Sequence, residues 1–486
     1  MSLKLSDLSL LKTDAYINGK WVTSKNFISV CDPSDGSCIA KVAKMDGEQT
    51  DQAIAAAEQA LKSWQQKSAK QRANLLRAWY ELILQHQEDL AQILTAEQGK
   101  ILAEARGEIV YGASYVEWFA EEAKRVYGDV IPAPSDDKRI VCIKQPVGVV
   151  ACITPWNFPN AMLTRKIAPA LAAGCTVVCK PASETPLSAL ALAELAERAG
   201  IPKGVINVIV GSSSEIGPRL TDSSVVRKLS FTGSTQVGKK LVKACGDTLK
   251  KTSMELGGNA PFIVFDDADI DSTIDGLLAS KYRNSGQTCV CTNRVLVQSS
   301  IYQMFTGKLV DAVKQRLTLG VGTQDKITNG PLINQQASEN VDRLVKVAVA
   351  QGAKVEIGGK PSELGRCFYP PTVLTNVTNQ MEVAREEVFG PVASLIPFET
   401  EQQAIEIAND TNVGLAAYFY TRDIGRVWRM GEALEYGIVG INEGIISNEM
   451  APFGGVKESG SGREGSKYGL DDYLEIKYMC MGGIDK

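Results

Sequence analysis

The chain has 486 residues, with 52 Lys and Arg against 56 Asp and Glu, a net charge of -4 and a single histidine. This charge gives no general attraction to nucleic acid or anionic lipid, and one histidine excludes a zinc site that needs two. Eleven cysteines, an odd number without a repeated Cys-x-x-Cys, argue against both a disulfide framework and a four-cysteine metal site.

The cysteine usage and the first residues predict a cytoplasmic protein with free thiols. Residues 1–14 lack the apolar core of a signal peptide. The longest uninterrupted apolar run, Val413–Tyr420, is far shorter than a membrane span. His86 lies in an amphipathic helical stretch, where a surface or half-buried position is expected rather than a catalytic one. The chemistry must therefore depend on other side chains.

The first third of the chain reads as hairpins followed by helices. Asn18-Gly19 and Asp35-Gly36 are turn signals between short β-like runs. From about residue 51 to residue 127 the apolar pattern is helical, and Ser68 with Gln71 predicts a capping box at a helix start. A length of 486 residues leaves room for about three domains.

Strands and helices then alternate twice. Between residues 147 and 256, short branched apolar runs alternate with helical segments, which favours a parallel sheet with helical crossovers. A second alternating series from residue 261 to about residue 439 predicts a second α/β domain. Residues 470–483 read as a terminal strand, of the kind that adds to a partner's sheet. The expected fold class is therefore α/β, with a Rossmann-like domain and a second α/β domain.

Residues 233–239 form a candidate phosphate loop after a strand. They fit Gly-x-x-x-x-Gly-Lys, but Lys240 stands where a P-loop needs Ser or Thr to hold magnesium, which disfavours an NTPase. A strand leading through a glycine turn to a helix N-terminus still predicts a phosphate site. The Gly-x-Gly-x-x-Gly dinucleotide fingerprint is absent from the corresponding turns, so a standard Rossmann domain is also disfavoured.

Three side chains suit acyl chemistry without histidine. Cys289 is a candidate nucleophile, although a cysteine after Gly-Gln-Thr is more often a small packed residue. Asn157, in the turn 155–159, could donate to an oxyanion or satisfy its own backbone. Glu255, before two glycines, is the natural general base if it does not simply face solvent at a strand end.

Together these segments resemble the aldehyde dehydrogenase superfamily, over nearly the whole chain. Within it the chain looks most like the bacterial succinate-semialdehyde dehydrogenases, on the segments 433–449 and 463–478 and the Cys-Val-Cys pair. The motifs that carry the family resemblance, in chain order, are YINGKW, PWNFP, KPAS, FTGSTQVG, ELGGN, GQTC, EEVFGP and PFGGVKESGSGREGSKYG.

The resemblance implies a division of labour among the three candidates. Cys289 would attack the aldehyde to form a thiohemiacetal, and the Asn157 amide with the Cys289 backbone N–H would hold the oxyanion. Hydride would pass to the nicotinamide and leave a thioester, which water activated by Glu255 would hydrolyse. A covalent intermediate separates oxidation from hydrolysis and needs neither metal nor histidine.

The resemblance also implies a nicotinamide cofactor, with NADP favoured over NAD. NAD-specific relatives place a glutamate three residues after the lysine that matches Lys180, where it repels a 2′-phosphate. This chain has Ser183 there and Glu184 one step later, which leaves use of both cofactors possible. The implied cofactor residues are Trp156, Lys180, Ser183, Gly233, Ser234, Glu387 and Phe389.

For the substrate, the resemblance implies a semialdehyde with a carboxylate at its far end. A buried carboxylate needs charge-assisted partners, and Arg165, Arg283 and Ser447 match the family's carboxylate site. Taken alone, Arg165 would read as a solvated helix residue, and Arg283 lies on a predicted helical approach to Cys289. Succinate semialdehyde, from 4-aminobutyrate breakdown, is the expected substrate; glutarate semialdehyde would use the same clamp.

The resemblance further implies a homodimer or homotetramer and a division into domains. The predicted NAD(P)-binding domain spans 1–126 and 147–256, and the predicted catalytic domain spans 257–455. The segments 127–146 and 456–486 are the predicted oligomerisation segments. Small semialdehydes are the expected partners, without nucleic acid, membrane or metal.

Two further hypotheses remain open: a redox role for Cys291 and a non-enzymatic function. Cys291, two residues from Cys289, is a candidate for a reversible disulfide with it under oxidation, for which some succinate-semialdehyde dehydrogenases give a precedent. A non-enzymatic scaffold, such as the lens-crystallin relatives of the family, is the alternative class. That alternative does not explain why Cys289, Glu255 and Asn157 are all present.

Overall fold

The computed structural model describes residues 3–484. Its strands are β1 Ala15–Ile17, β2 Lys20–Val22, β3 Phe27–Cys31, β4 Cys38–Ala43, β5 Asp129–Ile131, β6 Lys138–Pro146, β7 Val149–Ile153, β8 Thr176–Lys180, β9 Ile206–Val208, β10 Val226–Thr232, β11 Lys251–Glu255, β12 Ala260–Val264, β13 Thr292–Gln298, β14 Lys354–Ile357, β15 Thr372–Thr375, β16 Val392–Phe398, β17 Val413–Gly414, β18 Ala416–Tyr420, β19 Ile438–Ile441, β20 Val456–Lys457, β21 Gly460–Ser461 and β22 Leu474–Gly482.

The α-helices alternate with these strands over much of the chain. They are α1 Gly47–Trp64, α2 Ala69–Gln85, α3 Gln87–Gln98, α4 Leu102–Glu122, α5 Ala161–Ala173, α6 Leu187–Arg198, α7 Ser213–Asp222, α8 Thr235–Gly246, α9 Ile270–Tyr282, α10 Tyr302–Arg316, α11 Gln335–Ala350, α12 Glu382–Arg385, α13 Glu401–Asn409 and α14 Ile424–Ala433. None of the helices in residues 3–484 is both long and apolar enough to cross a membrane.

The first large sheet has the strand order β2-β1-β9-β8-β7-β10-β11-β21. Its central strands from β9 to β11 run parallel, as the alternating pattern predicts. Because the chain moves outward from β7 through β8 to β9 and then returns to β10, the order reverses between β7 and β10. Ligands bind outside the carboxyl ends of parallel strands at such a reversal.

The second large sheet has the order β14-β15-β16-β13-β12-β18-β19 and confirms the second predicted α/β unit. Its pairs are parallel except for β14 with β15. The branched and aromatic residues of its central strands are buried on both faces, because helices cover such a sheet on both sides. The fold class predicted from the sequence is thus confirmed.

A third, three-stranded sheet with the order β22-β6-β5 takes β5 and β6 from the predicted segment 127–146 and β22 from the predicted segment 456–486. Its β22 edge is exposed from residue 475 onward, with Ile476 72% and Tyr478 60% exposed. One part of segment 456–486 lies elsewhere, because β21 pairs antiparallel with β11 in the first sheet. Residues 1–2 and 485–486 of the predicted segments lie outside the described residues, and the domain division itself stays a prediction.

The predicted β-turn and helix cap, each of which depends on one short motif, are confirmed. Asn18 and Gly19 have φ of 52° and 72° and join the antiparallel pair β1–β2, as predicted. The Ser68–Gln71 capping box forms at the start of α2. His86 is half-buried at the junction of α2 and α3, which confirms the structural interpretation of this residue.

Candidate active site

A cavity of about 240 Å³ lies between the two large sheets and collects the three predicted catalytic residues. Among the predicted cofactor residues, Lys180 and Ser183 do not line it. Its lining residues are Pro155, Trp156, Asn157, Thr232, Gly233, Ser234, Glu255, Leu256, Gly257, Cys289, Glu387 and Phe389. Residues more than 200 positions apart in sequence therefore meet at one point.

The topology explains why these residues meet. Asn157 follows β7, Gly233 follows β10, and Glu255 is the last residue of β11. Since β7, β10 and β11 are parallel neighbours, their carboxyl ends lie at the same edge of the first sheet. Cys289 comes from the other side of the cavity, just before β13 of the second sheet.

Cys289 lies half-buried at the end of a strained loop. Asn284 and Ser285 have φ of 49° and 53°, and Gly286 has φ of 79°. A Cβ atom on Gly286 would lie 2.2 Å from the Gly390 carbonyl oxygen, so glycine is required there. Left-handed backbone of this kind persists where the surroundings fix it, and it is concentrated at functional sites.

The Cys289 thiol is held in its protonated form. Burial raises its pKa to about 12, and the carboxylates of Glu387 and Glu255 act in the same direction. Arg165 and Arg283 lower the pKa of Cys289 but do not outweigh burial. A positive charge introduced into the cavity would favour the thiolate, the form that attacks carbonyl carbon.

The Asn157 side chain is buried and held at both ends. Its Nδ2 donates to the Gln287 carbonyl at 3.1 Å, and its Oδ1 accepts the Phe158 backbone N–H at 3.1 Å. The amide therefore does satisfy neighbouring backbone, but this contact also turns its NH₂ group toward the Cys289 loop. Nδ2 carries a second hydrogen, which leaves a donor for an oxyanion.

Glu255 is only 3% exposed, so the interpretation of a solvent-facing strand end is wrong. Its Oε2 is buried without a hydrogen-bond partner among residues 3–484. Burial, followed by the nearby Glu464 carboxylate, raises the pKa of Glu255 well above that of a solvated glutamic acid. Perturbed carboxyl groups in a cleft mark candidate acid–base residues.

Arg165 is not a solvated helix residue, because it is 1% exposed in the fully buried helix α5. Its Nη2 lies 2.7 Å from Oε2 of Glu464, and its guanidinium lies 4.1 Å from the Phe453 ring centroid. Lys166 pairs with the other oxygen of Glu464 and also donates to Ser230 at 3.1 Å. No sequence pattern predicts these ion pairs, since the only signal is a charged residue near glycines at position 464.

Arg283 is half-buried and lines a neighbouring cavity of about 380 Å³. The predicted helical approach is only partly right: α9 ends at Tyr282, and Arg283 caps it. The Arg283 guanidinium lies 5.4 Å from the Phe158 ring centroid and makes no ion pair within residues 3–484. Arg283 thus differs from Arg165, which forms an ion pair with Glu464, a carboxylate that also pairs with Lys166.

Ser447 is half-buried in the loop after β19. No hydrogen bond joins it to Arg165 or Arg283 in the described part of the chain. The next residue, Asn448, accepts a hydrogen bond from the Tyr115 hydroxyl at 3.1 Å, and the Tyr115 ring lies 5.4 Å from the Arg165 guanidinium. The loop of Ser447 therefore borders the Arg165 side of the site without a direct link between the two side chains.

The cofactor side of the cavity consists mainly of aromatic rings, glycines and a helix N-terminus. Trp156 and Phe389 meet edge to face with ring centroids 5.5 Å apart. Ser234 caps α8 and accepts the Val237 backbone N–H. A phosphate group fits at such a helix N-terminus, and the flat aromatic walls suit a nicotinamide ring.

Glu387 and the segment after β8 complete the cofactor side. Glu387 accepts the Gly258 backbone N–H at 3.2 Å, and burial raises its pKa to about 7. Lys180 ends β8 and is buried, while Ser183 is half-buried and Glu184 is exposed. Since Lys180 and Ser183 lie one strand farther along the sheet than the cavity, they fit the distant end of an extended dinucleotide.

Cys291 is buried and its thiol donates to the Lys281 carbonyl at 3.2 Å. Burial raises the pKa of the Cys291 thiol. A disulfide with Cys289 would therefore have to remove the Cys291 thiol from this contact.

The model of the aldehyde dehydrogenase family matches residues 21–479. Three curated relatives are each 57% identical to this chain. A 3-sulfolactaldehyde dehydrogenase of Pseudomonas putida matches over 100% of both chains. A glutarate-semialdehyde dehydrogenase of Pseudomonas aeruginosa and an NADP(+) succinate-semialdehyde dehydrogenase of Escherichia coli each match over 99% of this chain and 100% of their own.

A solved structure of an E. coli NADP dependent enzyme gives the same result in three dimensions. It is 57% identical, covers 99% of this chain and 100% of its own, and superposes with a TM-score of 0.98.

Proposed function

The chain belongs to the aldehyde dehydrogenase family, and we propose that within it the chain oxidises succinate semialdehyde to succinate with reduction of NADP⁺. It is an NAD(P)-dependent aldehyde dehydrogenase. The observation that carries the anionic class of substrate is the Arg283 guanidinium, which borders the Cys289 site without an ion-pair partner in residues 3–484. The Glu104 carboxylate lines the same cavity and interacts with Arg283 through space, but no ion pair satisfies the guanidinium. Such a cation near a nucleophile suits an aldehyde with an anionic far end.

In the proposed reaction the Cys289 sulfur adds to the aldehyde carbon and the carbonyl oxygen becomes an oxyanion. Asn157 Nδ2 and the Cys289 backbone N–H donate to that oxygen. Such donors act in the transition state, and the loss of one typically costs about 10²- to 10³-fold in kcat. A bound nicotinamide, held by Trp156, Glu387 and Phe389, would supply the acceptor for the hydride that the former aldehyde carbon loses.

The second half of the proposed reaction releases the acid. Glu255 takes a proton from water, and that water attacks the Cys289 thioester, which restores the thiol and yields the carboxylate. The unpartnered Oε2 of Glu255 supports this role, because a buried acceptor without a protein partner has room for water. Hydrolysis therefore needs Glu255 in its ionised form.

For the substrate carboxylate we assign the main contact to Arg283. Arg165 and Ser447 complete the clamp in this proposal, although the charge of Arg165 is shared with Glu464. Glutarate semialdehyde remains the alternative substrate, and the three relatives of equal identity bear names that include this aldehyde and a sulfonated one. Chain length and head-group geometry thus separate the candidates, while the charge requirement is common to them.

For the cofactor we favour NADP over NAD. Ser183 presents a hydroxyl rather than a carboxylate, so residue 183 itself does not repel a 2′-phosphate near Lys180. Glu184 is exposed, which leaves NAD as a second acceptor. The cofactor contacts proposed are those of Trp156, Lys180, Ser183, Gly233, Ser234, Glu387 and Phe389.

We also propose a homo-oligomer, a dimer or a tetramer, assembled through the third sheet. The unpaired edge of β22 and its exposed apolar residues support strand addition between copies. The proposed domains are the NAD(P)-binding and catalytic units built around the first and second sheets. The cytoplasmic location and the 4-aminobutyrate pathway stay predictions.

The test compares kcat/KM for succinate semialdehyde, glutarate semialdehyde, 3-sulfolactaldehyde and butanal, each with NADP and with NAD. We expect succinate semialdehyde with NADP to give the highest value and butanal a value lower by about 10²-fold, the loss of one charged hydrogen-bond partner. A higher value for glutarate semialdehyde or 3-sulfolactaldehyde would replace succinate semialdehyde as the substrate. Equal values for butanal would refute the arginine clamp.

A further inference from the structure

The turn that carries Asn157 is supported by buried charges that have no part in the reaction proposed above. The Asn157 backbone carbonyl accepts two side-chain hydrogen bonds, from Lys100 Nζ at 2.8 Å and from Asn284 Nδ2 at 3.0 Å. Lys100 Nζ also lies 2.6 Å from Glu108 Oε2, and both side chains are completely buried. The turn that carries Asn157 is therefore held in place by the Lys100 ammonium group, which is itself paired with the Glu108 carboxylate.

Glu108 holds the other side of the same turn. Its Oε1 accepts the backbone N–H groups of Asn160 at 2.9 Å and Ala161 at 3.2 Å, where α5 begins. The N-cap residue of α5 makes no side-chain cap of its own. One carboxylate thus caps α5 and, through Lys100, ties that helix start to the Asn157 carbonyl.

Glu104 extends this network to the cysteine loop. It accepts the Asn284 backbone N–H at 2.9 Å, and Asn284 Nδ2 reaches the Gln287 carbonyl at 3.3 Å. That same Gln287 carbonyl accepts the Asn157 amide. Glu104 and Glu108 lie one turn apart in α4, and Lys100 lies two residues before that helix begins. The start of α4 and the residues just before it therefore touch both segments that build the oxyanion site.

Stability alone gives a weak reason for this arrangement. Removing two charges from water costs several kcal/mol per ion, and apolar residues of similar volume often serve a fold equally well. A charged pair aimed at one carbonyl instead fixes the position of that carbonyl. A displacement of about 1 Å at a reacting centre can cost about 10²-fold in rate.

We propose that Lys100 and Glu108 are positioning residues that set the Asn157 amide at the place where the substrate oxyanion forms. This inference rests on the proposed function, in which Asn157 donates to that oxyanion. Neither residue touches the substrate; both act through the turn that carries Asn157.

The test is the double variant Lys100→Met/Glu108→Gln, which removes both charges together and so leaves no unpaired buried ion. In single-turnover NADPH formation we expect a rate lower by about tenfold or more. The KM for NADP should stay within about twofold, because the cofactor side does not contact this pair. In an Asn157→Ala background the same double change should lower the rate by less than about twofold.

The control is Glu97→Gln at saturating cofactor. Glu97 is also a buried carboxylate that caps a helix, accepting the Leu187 and Ser188 backbone N–H groups at 2.7 and 2.9 Å, but it does not contact the Asn157 turn. We expect it to leave the single-turnover rate within about twofold. If the double variant does not fold, Glu108→Gln alone is measured in the same two backgrounds.

An equal loss of rate in the presence and absence of the Asn157 amide would overturn the inference, since it would reveal a general structural effect. An equal loss in Glu97→Gln would overturn it as well. Full activity of Asn157→Ala would instead overturn the proposed role of Asn157, and this outcome is visible before the pair is changed.

Discussion

The two sides of Cys289 are built on different principles. The cofactor side is formed mainly by the Trp156 and Phe389 rings and by glycines, and its buried carboxyl, Glu387, contacts a backbone N–H. The opposite side holds buried ion pairs, Arg165 with Glu464 and Lys100 with Glu108. The first side is therefore mainly a shaped surface of rings and glycines, whereas the second is an arrangement of paired charges.

The difference follows from what each side must hold. A nicotinamide ring needs a flat slot, which aromatic rings and glycines provide at little electrostatic cost. A developing oxyanion and a substrate carboxylate need cations and donors that do not move, and buried charges stay fixed only when each has a partner. The five predictions below test this contrast, from the largest expected effect to the smallest.

Removing the group that both sides share should give the largest effect. We expect Cys289→Ser to lower aldehyde oxidation by at least about 10³-fold, because the hydroxyl is a far weaker nucleophile at this position. NADP binding, followed by fluorescence titration, should not change. Aldehyde oxidation at the wild-type rate in this variant would refute the covalent mechanism.

The charged side is tested by Arg283→Leu. We expect kcat/KM for succinate semialdehyde to fall by about 30- to 150-fold, the equivalent of a charged hydrogen bond worth about 2–3 kcal/mol. The value for butanal should change by less than about threefold, since butanal has no carboxylate.

Two other arginines serve as comparisons. Arg316 lines the same cavity as Arg283 but pairs with Asp275, so Arg316→Leu should leave both aldehydes nearly unaffected. Arg165→Leu should slow both aldehydes, because it also removes a partner of Glu464 and thereby alters Glu255. Equal losses with both aldehydes in Arg283→Leu would contradict the clamp.

The cofactor side is tested by Ser183→Glu. A carboxylate there would repel the 2′-phosphate, and we expect the ratio of kcat/KM for NADP to that for NAD to fall by about 10- to 100-fold. Ser183→Gln, which has similar size without charge, is the matched control and should change the ratio much less. An unchanged ratio in Ser183→Glu would place the adenosine ribose elsewhere.

The pH dependence should reveal the buried base. Burial and Glu464 raise the pKa of Glu255, so its ionised form, which hydrolysis needs, becomes more abundant as pH rises. We expect the steady-state rate to increase by up to about tenfold per pH unit until Glu255 has lost its proton. In Glu255→Gln the NADPH burst should persist while turnover becomes slow and loses this rise. A turnover profile identical to that of the wild type would exclude Glu255 as the base.

The smallest effect on basal activity is expected at Cys291. Cys291→Ala should oxidise aldehydes normally, because its thiol contacts the Lys281 carbonyl rather than the cavity. After peroxide treatment, dithiothreitol should restore the wild type but not the variant, if Cys289 forms its disulfide with Cys291. Equally reversible inactivation of both proteins would remove the redox hypothesis.

Short-range signals and residue types carried much of the sequence interpretation. The Asn18-Gly19 hairpin and the Ser68–Gln71 cap form as predicted, since each depends on a few neighbouring residues. The alternation of elements also sufficed to predict a parallel sheet with helical crossovers and a second α/β unit. The prediction that Arg283 lies on a helix leading to Cys289 is only partly right, because α9 ends one residue earlier, at Tyr282. The loop that follows has left-handed backbone at Asn284 and Ser285, which a helix cannot contain.

The sequence by itself determined the α/β class, the family and the identity of the groups that can do the chemistry, because these follow from periodicity and from motifs that stay together in the chain. Only the tertiary structure decided which charge meets which. The pairing of Arg165 with Glu464, and of Lys100 with the Asn157 carbonyl, joins residues that sequence spacing cannot relate. Burial then sets the pKa values of Cys289 and Glu255, because desolvation depends on all the elements packed around a group.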